Sequence, residues 1–147
     1  MIFDPICNLI PHKMPMQLVD ELVEVAEKSA VARARITENH LFLRKDNTLV
    51  PEALCEMVAQ CFAAGEGQRR KWAGKSLEGG GFLASVRDFE FLAPVHVGDE
   101  LTVSATLNDV CFGTHLVQGR VFCRDREIAR GVVYIFMWEG KAVPAQV

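Results

Sequence analysis

Val50–Gly67 reads VPEALCEMVAQCFAAGEG, and the fold turns on it. Between Ala53 and Ala64 the residues are apolar or small: Leu54, Cys55, Met57, Val58, Ala59, Cys61, Phe62, Ala63. Two residues interrupt them, Glu56 and Gln60, one helical turn apart. A helix that is apolar on all sides is a buried helix. Pro51 suits a first helical position, and Glu52 suits the positive end of the helix dipole. The spacing predicts a helix from about Pro51 to about Trp72, with the polar stretch GEGQRRK emerging into solvent. Gly74 and the following EGGG are its stop signals. Ala59, Ala63, Ala64 and Gly67 permit close approach to whatever encloses it.

What encloses it is written on both sides. Downstream, GFLASVRDFEFLAPV, DELTVSATLNDV, THLVQGRVFCRD and EIARGVVYIFMWEG are strand-like runs, parted by the turn signals HVGD, CFGT and DRE. The last run is expected at or near the sheet centre, because Val132–Phe136 carries no polar interruption. Upstream, SAVARARIT places Ala30, Ala32, Ala34 and Ile36 on one face and Arg33 and Arg35 on the other, a strand alternation. MQLVDELVEVAE precedes it; a turn near Glu27–Ser29 would join the two as a hairpin. DPICNLIPH suits one short helix capped by Asp4, and ENHLFLRKDNTL reads as a loop. Helix and strands are segregated, so the expected class is α+β: an antiparallel sheet curled around one long helix.

The 147 residues suit one domain spanning 1–147. Half of them are hydrophobic, which excludes disorder as the main state. A net charge of −3 with scattered Lys and Arg leaves no footprint for nucleic acid. No window is long enough for a membrane-spanning helix, and MIFDPICNLIPHK has no secretory-signal pattern. The five cysteines, Cys7, Cys55, Cys61, Cys111 and Cys123, read as buried free thiols in a reducing cytoplasm. There is no C-x-x-C pair and the four histidines are far apart, so neither a metal site nor a cofactor is expected.

Three segments carry a resemblance. LIPHKMPMQLVDELVEV is similar to the L-P-H-R-x-P-x-L-L-V-D-R-V opening of the β-hydroxyacyl-acyl carrier protein dehydratases. EMVAQCFAA matches that family's E-A-x-A-Q helix motif, and VRDFEFLAPVHVGDEL its K-x-x-F-x-x-P-V-x-P-G-D-x-L signature. The resemblance implies the hot-dog fold, in which a tunnel takes a β-hydroxyacyl chain carried as a thioester. It implies that Glu56 is the carboxyl that protonates the departing hydroxyl, with Gln60 holding it by a hydrogen bond. Burial on an apolar helix raises a carboxyl pKa, which suits a general acid. Phe82 and Leu83 are the expected apolar lining for the acyl chain.

The family's proton-abstracting histidine lies in an H-F-P-G-x-P loop before the helix. Here that loop is FLRKDNTLVP, without histidine, and the nearest replacement is His40. In this respect the chain most resembles a divergent dehydratase-like group of aryl-polyene-type pathways. His12 falls in the opening motif, which reads mainly as a structural join; His96 reads as a turn residue and His115 as a strand residue. RRK at Arg69–Lys71 reads as a solvated helix end, with contact to an acyl carrier protein or a coenzyme A phosphate as the functional alternative. The expected assembly is a homodimer or higher oligomer, or a heterodimer with another dehydratase, with a partner's His40–Asn47 loop near Glu56. Thioesterase activity and a non-catalytic partner role are the alternatives to dehydration.

Overall fold

Strand β1 (Glu21–Val25) and strand β2 (Ser29–Arg35) form the expected antiparallel hairpin, closed by Ala26 N–H donating to the Ser29 carbonyl. The alternation in β2 holds: Ala30, Ala32 and Ala34 are buried while Arg33 and Arg35 are exposed. In this computed structural model, which describes residues 2–140, helix α1 follows at Ala53–Trp72. Four further strands complete the chain: β3 (Gly79–Phe91), β4 (Glu100–Cys111), β5 (Thr114–Cys123) and β6 (Arg126–Glu139). They make one antiparallel sheet in the order β1-β2-β4-β5-β6-β3, and α1 packs against all six strands. Strand β6 lies inside the sheet between β5 and β3, one place from the edge.

Close approach explains the small residues. A Cβ on Gly119 of β5 would lie 2.6 Å from a methyl of Val58, itself wholly buried on α1. A Cβ on Gly65 would lie 2.6 Å from the Cβ of Ala30. The helix therefore touches the sheet nearly backbone to backbone, and larger residues at these positions would push it out.

Four local expectations change. The N-terminal segment is a 3₁₀ turn, Ile6–Asn8, without a side-chain cap; Asp4 instead bonds Gln68 and Lys71 on α1. The second half of α1 does not emerge into solvent: Gly65, Gly67 and Gln68 are buried. Its cations are engaged within the chain. Arg69 donates to the carbonyls of Ala26 and Ser29, Arg70 to that of Ser76 and to Glu139, and Lys71 pairs with Asp4. Gly74, at φ 70°, does close the helix, but Gly79–Gly81 belong to β3 and pair with Glu139, Trp138 and Met137. Last, Cys55 and Cys61 are buried thiols, pushed up to about 11 and about 12 by burial, whereas Cys7 and Cys111 are exposed.

Gly119→Ala is expected to lower stability by about 1–3 kcal/mol through overpacking against Val58. Gly119→Ala with Val58→Ala should cost less than the sum of the single changes, because each makes room for the other. Urea midpoints of the four proteins check this.

Candidate functional site

Between Ala53 and Gln60, burial on α1 is incomplete only at Glu56. Glu56 keeps 28% of its side-chain surface exposed, while Cys55, Met57, Val58 and Ala59 are buried. Burial of its surroundings raises the Glu56 pKa, opposed in part by a hydrogen bond from Gln60 and by the nearby His12. His12 Nε2 stands 3.5 Å from Glu56 Oε1, and its Nδ1 is buried without a hydrogen-bond partner among the described residues. A carboxyl biased toward its protonated form and an imidazole within reach of it can together give and take one proton.

Gln60 fixes the geometry. Its Oε1 accepts from Leu18 N–H at 2.7 Å, and its Nε2 donates to the Met16 carbonyl at 2.8 Å and to Glu56 Oε1 at 3.4 Å. A buried amide satisfied in this way costs little and orders what it touches. Gln60 thus ties the segment that follows His12 to the helix that carries Glu56.

A cavity of about 10 Å³, room for one water, lies beside the pair, lined by His12, Glu56, Gln60, Phe82, Leu83 and Ile135, among others. It adjoins a groove of about 380 Å³, with His12, Ala63 and Gly81 common to both. The groove continues past Leu9, Gly67, Arg70, His115 and Trp138. Of the residues singled out from the sequence, Glu56, Gln60, Phe82 and Leu83 thus share one cavity wall.

His40 does not join them within this chain. Its Nδ1 accepts from Phe42 N–H at 3.2 Å, its Nε2 is buried without a hydrogen-bond partner among the described residues, and desolvation lowers its pKa. The histidine beside Glu56 is His12, which the sequence had suggested was part of a join. The signal was present in the proline-flanked IPHKMP, which fixes a chain path, yet nothing in it says which part of α1 lies opposite. His96 is an exposed turn residue near Asp99, and His115 on β5 packs its ring on Phe62 of α1. Among the described residues no group of three or more His, Cys, Asp or Glu side chains is placed to hold a metal ion.

A six-stranded antiparallel sheet around one long helix is the hot-dog fold. The chain belongs to the ApeP-like family, described as ApeP dehydratase, whose sequence pattern matches residues 4–143. Two relatives are 3-hydroxyacyl-acyl-carrier-protein dehydratases named FabZ. That of Wolbachia sp. subsp. Drosophila simulans (strain wRi) is 26% identical over 137 residues, covering 87% of this chain and 90% of the relative. That of Clostridium botulinum (strain Okra / Type B1) is 32% identical over 108 residues, covering 70% and 72%. Among solved structures, the dehydratase heterocomplex ApeI:P from Xenorhabdus doucetiae superposes with a TM-score of 0.87 at 19% identity, covering 94% of this chain and 93% of that one. A hypothetical thioesterase with coenzyme A from Streptococcus pneumoniae TIGR4 has the same fold, with a TM-score of 0.63 at 11% identity over 83% and 88%.

Gln60→Ala would leave Leu18 N–H and the Met16 carbonyl without their partner. It is expected to cost about 1–3 kcal/mol for each buried group left unpaired. Glu56→Gln should leave the melting temperature unchanged or raise it near neutral pH, because it removes a carboxyl whose charged form is disfavoured by burial. Thermal unfolding of both variants tests the two statements together.

Proposed function

We propose that this chain removes water from a 3-hydroxyacyl thioester, carried on an acyl carrier protein or coenzyme A, and that His12 and Glu56 move the protons. The observation that supports this reading is the 3.5 Å approach of His12 Nε2 to Glu56 Oε1 beside a partly apolar cavity. Membership in a dehydratase family, with FabZ relatives, narrows the chemistry to β-elimination.

The thioester carbonyl acidifies the Cα–H bond, and neutral His12 takes that proton on Nε2. The electron pair forms the Cα=Cβ bond as the Cβ–O bond breaks. Protonated Glu56 gives its proton to the leaving hydroxyl, which departs as water. Imidazolium and carboxylate are left side by side, and Nε2 returns its proton to Oε1. The pair is then as it began, and no external acid or base is consumed. Phe82, Leu83 and Ile135 offer apolar surface to the acyl chain. Gln60 keeps the pair aligned from the wall of the same cavity.

The rate depends on a protonated Glu56. It therefore falls as pH rises through the Glu56 pKa, which burial raises from its ordinary value. Incubation with 3-hydroxyacyl and saturated acyl thioesters, followed by mass spectrometry, separates loss of water from hydrolysis. Glu56→Gln and His12→Ala are each expected to lower dehydration by about 10²–10⁴-fold with the fold kept. Hydrolysis of saturated thioesters without loss of water would replace this reading with a thioesterase. A fully active His12→Ala beside an inactive His40→Ala would move the base to His40, reached from a second chain.

Assembly follows from the sheet edge. β3 has 13 residues, is paired only to β6, and exposes Phe82, Val86 and Phe91. A long apolar edge strand is a template for pairing with another strand. We propose that β3 joins a second copy or another dehydratase of the same fold, and that the assembly works in the reducing cytoplasm. Val86→Lys is expected to shift the light-scattering mass toward one chain; an unchanged mass would place the interface elsewhere.

A further inference from the structure

His12 lies outside any helix or strand, between short turns at Pro5–Ile10 and Lys13–Gln17, with Lys13 Nζ donating to the Cys7 carbonyl across it. What ties the segment to the helix that carries Glu56 comes from side chains of α1. Gln60 pins the chain after His12, at Met16 and Leu18. Before it, the described residues offer a second clamp that the proposed chemistry does not use. Gln68 is wholly buried on α1, and both ends of its amide go to one residue: Oε1 accepts from Asp4 N–H at 2.7 Å, and Nε2 donates to Asp4 Oδ1 at 3.0 Å. Lys71, nearly one turn further on, pairs with Asp4 Oδ2. Between the clamps, Ile6, Leu9 and Ile10 are buried, and the Leu9 carbonyl sits where Gly67 leaves room: a Cβ there would lie 2.7 Å from that oxygen. The segment therefore runs along α1 from its last turns to its first, and residues 8–12 form one wall of the groove.

We infer that Gln68, with Asp4 and Lys71, is a positioning clasp for the reaction: it fixes the path of the N-terminal segment so that His12 lands on Glu56. This rests on the reading of His12 as the proton acceptor. The clasp touches neither substrate nor reacting atoms and acts through the strap alone. Its chemistry suits the task. A side-chain amide bonded to both the N–H and the carboxylate of one residue fixes position and orientation together, and the lysine adds a charge-assisted contact. Proton transfer is intolerant of displacement, so a strap released at Asp4 should lose rate before it loses binding.

The test uses the full chain. Asp4→Ala removes the carboxylate at the surface while leaving α1 intact, and Gln68→Ala removes the amide. Each is expected to lower kcat by about tenfold to a hundredfold with KM little changed. Asp4→Asn keeps the backbone N–H for Gln68 Oε1 and an amide oxygen to accept from Gln68 Nε2, and should retain most of the parental rate. The ring signals of His12 in nuclear magnetic resonance, assigned with His12→Ala, should respond to Glu56→Gln in the parent and lose that response in Asp4→Ala. Variants that melt earlier yet keep kcat and the His12 response would reduce the clasp to a structural tie and overturn the inference. If His12→Ala keeps the parental rate, the catalytic reading of His12 falls separately; the ring response still decides whether the clasp sets the ring.

Discussion

A helix packed against all six strands of its own sheet has to meet them at near-backbone distance, and most of this structure follows from that constraint. It explains why β2 carries alanines at alternate positions and why Gly119 faces Val58. It explains why a free thiol, Cys61, serves as a small core residue whose sulfur lies near the carbonyls of Ala30 and Val103. It also sets a difficulty. Any polar side chain on such a helix must either be bonded or reach an opening, because a buried unpaired group costs about 1–3 kcal/mol. Gln60 and Gln68 take the first course and Glu56 the second.

These three residues divide the work. The glutamines are neutral, so burying them carries no charge penalty, and their amides organise backbone that would otherwise be loose. The carboxyl is the residue for which burial is unfavourable, and it sits where the first two turns of α1 are least covered. Burial there raises the carboxyl's pKa and so favours the form that holds a proton. Glu127 differs in its partners: hydrogen bonds from Arg120 and Arg130 lower its pKa. Both carboxylates have close neighbours, but only the helix carboxylate opens on a cavity lined by apolar side chains.

The fold was legible because it is written in periods. Alternation in Ala30–Ile36, an unbroken apolar helix and strand runs parted by turn signals each depend on neighbours in sequence. The elements that failed to read are those decided by distant contacts. Glycines at 79–81 look like a helix stop, yet their strand partners lie on β6. GEGQRRK looks like a solvated end, yet Arg69 and Arg70 reach backbone carbonyls elsewhere. The site divides in the same way. Glu56 and Gln60 stand out locally as polar interruptions of an apolar run. His12 does not, because its meaning comes from the part of α1 it faces.

That contrast bears on where a histidine can come from in this fold. A base need only arrive beside the helix carboxylate; the segment that delivers it is free to vary if something else fixes its path. The loop before α1 carries His40, and its internal bonds, such as Phe42 N–H to His40 Nδ1, turn the ring back on its own loop. The N-terminal segment is held at Met16 and Leu18 by one helix glutamine and at Asp4 by another. In this chain α1 therefore carries the carboxyl and also the two amides that bond the N-terminal segment on either side of His12.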